Sequence, residues 1–121
     1  MPLPLRVFAP LLFSVFATPA LAQNKYDVFV GQYMAAVLIA QECSNRTVSD
    51  VPGAAALAKS ENGLREQKVL RLLYYSKTAQ LEAVGRYALT ERKVDPDTRS
   101  SVCGFGKQVA AKNDLIGRFL K

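Results

Sequence analysis

Apolar residues recur along the chain at helical spacing, and sustained alternation of apolar and polar residues, which marks a half-buried β-strand, does not occur. The segment from about Tyr26 to Cys43 predicts a first helix, whose apolar stripe follows the i, i+4, i+7 rule. The stripe consists of Phe29, Tyr33, Val37, Ala40 and either Cys43 or Ser44. A second helix is expected to start at Asp50, with Pro52 in its first turn, and to stop at Asn62-Gly63.

The segment from Leu64 to Lys93 is rich in helix-forming residues and has no interior proline. It fits either one long helix or two helices joined near Ser76-Lys77-Thr78. Val94-Asp95-Pro96 ends this segment, because proline disfavours helical backbone in the residue before it. A final helix is expected from about Ser100 to Phe119, with Cys103 in its first turn. The pattern therefore predicts an all-α fold, a small bundle of four to five helices.

The first 22 residues have the order of a secretory signal peptide. Arg6 precedes an apolar run from Val7 to Ala17, and Ala20-Leu21-Ala22 offers the small residues that a signal peptidase recognises. The run holds about 11 residues, well short of the roughly 20 that span a bilayer. We expect cleavage between Ala22 and Gln23, which leaves a single helical domain over residues 23–121 outside the reducing cytosol.

Positive charge is in mild excess and is scattered along the domain. Of the 16 Lys and Arg residues, Arg6 lies in the leader, so 15 cations face 10 carboxylates and the net charge is +5. Nucleic-acid-binding proteins usually concentrate basic residues on one element, and here no basic run exceeds two residues. The composition argues against a nucleic-acid partner. The excess positive charge predicts only weak attraction to an anionic membrane surface or to an acidic protein.

The sequence contains two cysteines, Cys43 and Cys103. In an oxidising compartment an isolated pair is most simply one disulfide. Such a bond closes a loop of about 61 residues and contributes about 4 kcal/mol to the free energy of unfolding in the chain-entropy model. We expect this disulfide to join the end of the first helix to the start of the last.

Other catalytic or metal-binding patterns are missing from the sequence. Histidine is absent, which removes Ser-His-Asp and Cys-His catalysis and the commonest metal ligand. Gly104 and Gly106 lack the third glycine of a phosphate-binding loop, and Asp95 and Asp97 flank a proline as turn residues do. We expect a non-enzymatic protein without a catalytic residue, metal or other cofactor.

The C-terminal third carries the segments Val94-Asp95-Pro96, Ser101-Val102-Cys103-Gly104-Phe105-Gly106 and Ile116-Gly117-x-x-Leu120. With Cys43 near the end of the first helix, these segments resemble a family of small, two-cysteine, all-helical periplasmic proteins of alphaproteobacteria. Some of its members are similar to periplasmic accessory subunits of the respiratory NADH:quinone oxidoreductase, complex I. The resemblance implies a periplasmic protein, peripheral on the inner membrane, with complex I subunits as its partner.

Two other functions stay open at this point. One is a free periplasmic stress or chaperone-like protein, and the other is an enzyme or ligand carrier. A subunit without a membrane anchor must dock through its folded surface, and aromatic anchors are typical of such interfaces. The residues we select as partner contacts are Tyr74, Tyr75 and Tyr87, with Arg71 and Arg86 beside them. The alternative for each tyrosine is that its ring covers the core while its hydroxyl faces water.

Overall fold

The computed structural model describes residues 24–121, which form six α-helices. In chain order these are α1 Lys25–Glu42, α2 Val51–Asn62, α3 Glu66–Tyr75, α4 Thr78–Glu91, α5 Arg99–Ala110 and α6 Leu115–Arg118. The predicted all-α fold is confirmed. Of the two alternatives for residues 64–93, the structure has two helices, which separate at Ser76 and Lys77. The signal peptide and the cleavage site at Ala22–Gln23 lie outside the described residues.

Local signals place the ends of α2 where the sequence predicts them. The Asp50 carboxylate accepts a hydrogen bond from the Gly53 N–H at 2.8 Å, and Pro52 occupies the first turn, where its missing N–H removes no hydrogen bond. At the other end Gly63 adopts left-handed backbone with φ of 65°, and the Leu64 N–H donates to the Ala58 carbonyl at 3.0 Å. α2 therefore begins and ends through its own residues.

α1 is the central helix and packs against α3, α4, α5 and α6. The predicted stripe is too narrow for this position. Val37 and Ala40 are only half-buried, whereas four residues outside the stripe are fully buried. Those residues are Val30, Ala35, Ala36 and Ile39. A helix surrounded by neighbours is buried on several sides, so one stripe does not describe it.

The expected single helix over residues 100–119 is wrong. The chain leaves α5 after Ala110 and begins α6 at Leu115, where the Asp114 carboxylate accepts the Ile116 N–H at 3.0 Å. α6 folds back so closely that a β-carbon on Gly117 would collide with the Val109 carbonyl. Because α5 begins at Arg99, Cys103 is its fifth residue and lies at the start of the second turn, not in the first turn.

The C-terminal residues close the bundle. Phe119 is fully buried and meets the rings of Phe29 and Tyr33 edge-on, with centroids 5.4 and 5.1 Å away. The following backbone pairs with the loop between α1 and α2: the Lys121 N–H donates to the Thr47 carbonyl at 2.9 Å. Burial of Ile116 and Phe119 requires the reversal between α5 and α6, which explains why the helix stops there.

Candidate interaction surfaces

The predicted disulfide between Cys43 and Cys103 is present. Cys43 caps the C-terminal end of α1, Cys103 belongs to α5, and their α-carbons are 5.6 Å apart. Cys43 is buried and Cys103 half-buried. The bond has no neighbouring thiol among residues 24–121 and acts there as a crosslink between two helices.

Two structural surveys cover the described part of the chain. Within residues 24–121 no group of three or more His, Cys, Asp or Glu side chains is arranged to hold a metal ion. In the same range none of the helices combines the length and the apolar character needed to cross a membrane.

An open cleft lies between α1 and α4, and we call it the α1–α4 cleft. Its volume is about 260 Å³, and the exposed apolar side chains of Val28 (44 % exposed) and Tyr87 (42 % exposed) both line it. The half-buried Val84 and Ala88 add apolar surface to its walls, and the buried Ile116 lies behind them. The cleft thus collects two of the four large apolar side chains that are exposed in the described chain.

Polar side chains at one end of the cleft are paired with one another. The Tyr87 hydroxyl donates to the Glu91 carboxylate at 3.1 Å, and this hydrogen bond, with the negative charge of Glu91, raises the pKa of Tyr87. The Arg92 guanidinium bonds both carboxylate oxygens of Asp114, at 2.6 and 2.9 Å. These pairs orient the Tyr87 ring and set a polar rim beside the apolar walls.

Arg86 has an intramolecular role. Its guanidinium donates to the Asp97 carboxylate at 2.8 Å, and this contact joins α4 to the turn before α5. The turn is further held by Asp95, whose carboxylate accepts hydrogen bonds from the Thr98 hydroxyl at 2.7 Å and the Asp97 N–H at 3.0 Å. Arg86, one of the predicted partner contacts, is therefore already engaged in an ion pair within the domain.

The other two predicted tyrosines lie at the end of α3. Tyr75 is 84 % exposed and Tyr74 is 59 % exposed. Tyr74 is near enough to Tyr33 to contribute to the raised pKa of Tyr33, after the larger effects of burial and of the Asp50 charge. Arg71 is exposed one turn earlier on the same helix.

The structure brings the predicted residues together at two places, not one. Tyr87 lines the α1–α4 cleft, whereas Tyr74, Tyr75 and Arg71 belong to α3. Sequence reasoning missed Val28, because it lies next to the predicted stripe of α1 and carries no signal that distinguishes it from a core position. Only the packing of α4 beside α1 shows that Val28 and Tyr87 share a cleft.

Comparison of the chain with protein-family models, with curated proteins and with solved structures finds no match.

Proposed function

We propose that this chain is an exported, non-enzymatic protein that docks on a protein partner through the α1–α4 cleft. The observation that carries the proposal is the position of Val28 and Tyr87, two exposed apolar side chains that line one open cleft. Aromatic side chains with an apolar body and a polar tip are typical anchors of protein interfaces. The rim pairs, Tyr87–Glu91 and Arg92–Asp114, surround this anchor with polar groups, as interface rims do.

The open form of the cleft favours a protein partner over a small molecule. Small-molecule pockets usually enclose most of their ligand. The α1–α4 cleft, of about 260 Å³, is open to solvent and can receive one or two side chains of another protein. Three charged residues line the cleft, Asp27, Glu91 and Arg92; the last two already have partners in the domain, which argues against their use in acid–base chemistry.

We further propose that the partner is the periplasmic face of the respiratory NADH:quinone oxidoreductase, complex I. The support for this step is the resemblance of the segments around Val94, Cys103 and Ile116 to small periplasmic proteins, some of which are similar to accessory subunits of that complex. The Cys43–Cys103 disulfide supports an oxidising compartment, and the predicted leader supports export. A protein of this kind is located in the periplasm, peripheral on the inner membrane.

The test is co-purification of the tagged protein from detergent-solubilised membranes. Respiratory-complex subunits should accompany the parent chain, and Tyr87→Ala should weaken the association by roughly 30-fold, the loss typical of an interface anchor. Tyr87→Phe is the matched control: it keeps the ring in the cleft, loses the hydroxyl that bonds Glu91, and should retain most of the association. Both variants should melt within a few degrees of the parent, because Tyr87 is exposed.

The same experiment distinguishes a docked subunit from a free periplasmic protein. If the tagged protein stays monomeric and leaves the cells with the osmotic-shock fraction, the subunit role is wrong and a free periplasmic stress or chaperone-like protein is the better description. Equal association of Tyr87→Ala and the parent chain would show that the α1–α4 cleft is not the docking site.

A further inference from the structure

The outer side of α3 carries a second surface, which we call the α3 basic face. It consists of Arg65, Lys68, Arg71 and Tyr75, all of them exposed. At 100° per residue these positions fall within about a third of the helix circumference, and the buried residues Val69 and Leu73 lie outside that third. The three cations are spaced three residues apart and span about 9 Å along the axis.

The cations of this face have no carboxylate partner within the described residues. The four ion pairs of residues 24–121 involve Arg86, Arg92, Arg99 and Arg118. Arg65, Lys68 and Arg71 instead line a shallow depression of about 330 Å³, in which Leu72 is the apolar residue and Gln67 the neutral polar one. Three positive charges therefore converge on one solvent-filled depression.

Contacts with Tyr26 hold this arrangement in place. The Lys68 ammonium lies 4.5 Å from the centre of the Tyr26 ring, a cation–π contact. The Arg65 backbone N–H donates to the Tyr26 hydroxyl at 2.9 Å, which fixes the first turn of α3 against α1. A buried residue of the central helix thus contacts two of the three basic positions, Lys68 through its ammonium and Arg65 through its backbone.

We propose that the α3 basic face binds the phosphate headgroups of an anionic phospholipid membrane. Three unpaired cations on one face match a surface of closely spaced negative charges, and each adds to attraction near such a surface. Tyr75 and Tyr74 lie at the end of the same helix with rings exposed, and tyrosine suits the boundary between headgroups and acyl chains. The depression is lined by three cations that form no ion pair, whereas the one cation that lines the α1–α4 cleft, Arg92, is paired with Asp114; an anionic lipid surface therefore fits the depression better than it fits the cleft.

This inference goes beyond the proposed docking on a protein. The α3 basic face and the α1–α4 cleft share no lining residue, so each has its own test. A protein docked on a membrane complex also lies close to lipid headgroups, and contact with both is then compatible.

The experiment is sedimentation of the purified, disulfide-intact protein with vesicles of phosphatidylglycerol and phosphatidylcholine in equal parts. We expect binding that falls as salt is added and that is lost on vesicles of phosphatidylcholine alone. The variant Arg65→Gln/Lys68→Gln/Arg71→Gln should bind on the order of a hundredfold more weakly. The matched control, Lys107→Gln/Lys112→Gln/Lys121→Gln, removes the same charge from exposed positions elsewhere and should bind nearly as well as the parent chain.

Three outcomes would overturn the proposal. The folded parent chain does not bind the anionic vesicles, or the two triple variants lose vesicle affinity equally. The third outcome is that the parent binds polyglutamate but not vesicles. The last would point to an acidic protein partner. If the α3 triple variant does not fold, the single variant Arg71→Gln tests the proposal, and its affinity for the anionic vesicles should fall about fivefold. Circular dichroism on each variant confirms that the helices are intact.

Discussion

Asp95 is the residue at which charge and local structure are most closely linked. Its carboxylate accepts hydrogen bonds from the Thr98 hydroxyl and the Asp97 N–H, in the turn that leads to α5. These two hydrogen bonds hold the pKa of Asp95 below its ordinary value of 3.8, and the bond from the Thr98 hydroxyl has the larger effect. The positive charge of Arg86 lowers the pKa further. The carboxylate is fully exposed, so the stabilisation is local to the turn.

The lowered pKa predicts the direction of a pH effect. Because the pKa of Asp95 is lower in the folded than in the unfolded chain, its stabilising contribution is fully present above the unfolded value. That contribution is lost as the pH falls through the folded value, below about 4. Thr98→Val removes the strongest hydrogen bond and should raise the pKa of Asp95 towards 3.8, as measured by NMR titration of the side-chain carboxyl carbon. An unchanged pKa would mean that the Thr98 hydroxyl has no such effect.

The contact between α1 and α4 is the most extensive between two helices of the bundle, and glycines make it close. A β-carbon on Gly85 would lie 2.8 Å from the Met34 β-carbon and 2.9 Å from the Met34 carbonyl carbon. On the facing side, a β-carbon on Gly31 would lie 3.3 Å from the Val84 carbonyl oxygen. The missing side chains let the two backbones approach, and this approach sets the width of the α1–α4 cleft.

We therefore expect Gly85→Ala to destabilise the fold by about 1–3 kcal/mol, because the obstructing atoms include backbone that cannot move aside. Gly104→Ala is the matched control, at an exposed position of α5. A β-carbon there meets nothing within 4 Å, and the change should stabilise by about 0.5–1 kcal/mol through helix propensity. Urea unfolding of both variants measures the difference. Similar stability changes in the two would show that α1 and α4 tolerate wider spacing.

At the scale of the whole molecule, the disulfide connects elements that are 60 residues apart. Reduction should lower the free energy of unfolding by about 4 kcal/mol, because the unfolded chain regains the freedom that the crosslink removes. Thermal melting with and without a reductant measures the loss, and peptide mapping without reduction should recover Cys43 and Cys103 in one linked species. Alkylation of both thiols in native extract would contradict the pairing.

Processing of the precursor is the second prediction at this scale. The exported protein should begin at Gln23, because Ala20-Leu21-Ala22 presents small residues at both recognition positions. Intact mass or N-terminal sequencing of the exported form checks this. Recovery of the full 121-residue chain from the cytosol would contradict export.

Much of the helical layout was predictable because its signals act on neighbouring residues. Asp50 caps the N–H of Gly53, and Gly63 supplies the left-handed backbone that ends α2. The disulfide followed from the number of cysteines and the expected compartment. In each case the decisive interaction is either within one turn of the chain or has one available partner.

Other features depended on packing between distant segments. The break after Ala110 has a local signal in the Asp114 cap of the next helix, but the direction of α6 depends on packing, because Ile116 and Phe119 are buried only when α6 folds back on α5. The α1–α4 cleft and the α3 basic face also depend on packing. Tyr87 lies beside Val28 only because α4 packs against α1, and Lys68 contacts Tyr26 only because α3 packs against α1. The sequence by itself determined the helical class, most helix ends and the crosslink. The tertiary structure alone decided which side chains meet and which stay exposed, because burial depends on contacts between segments that are far apart in the chain.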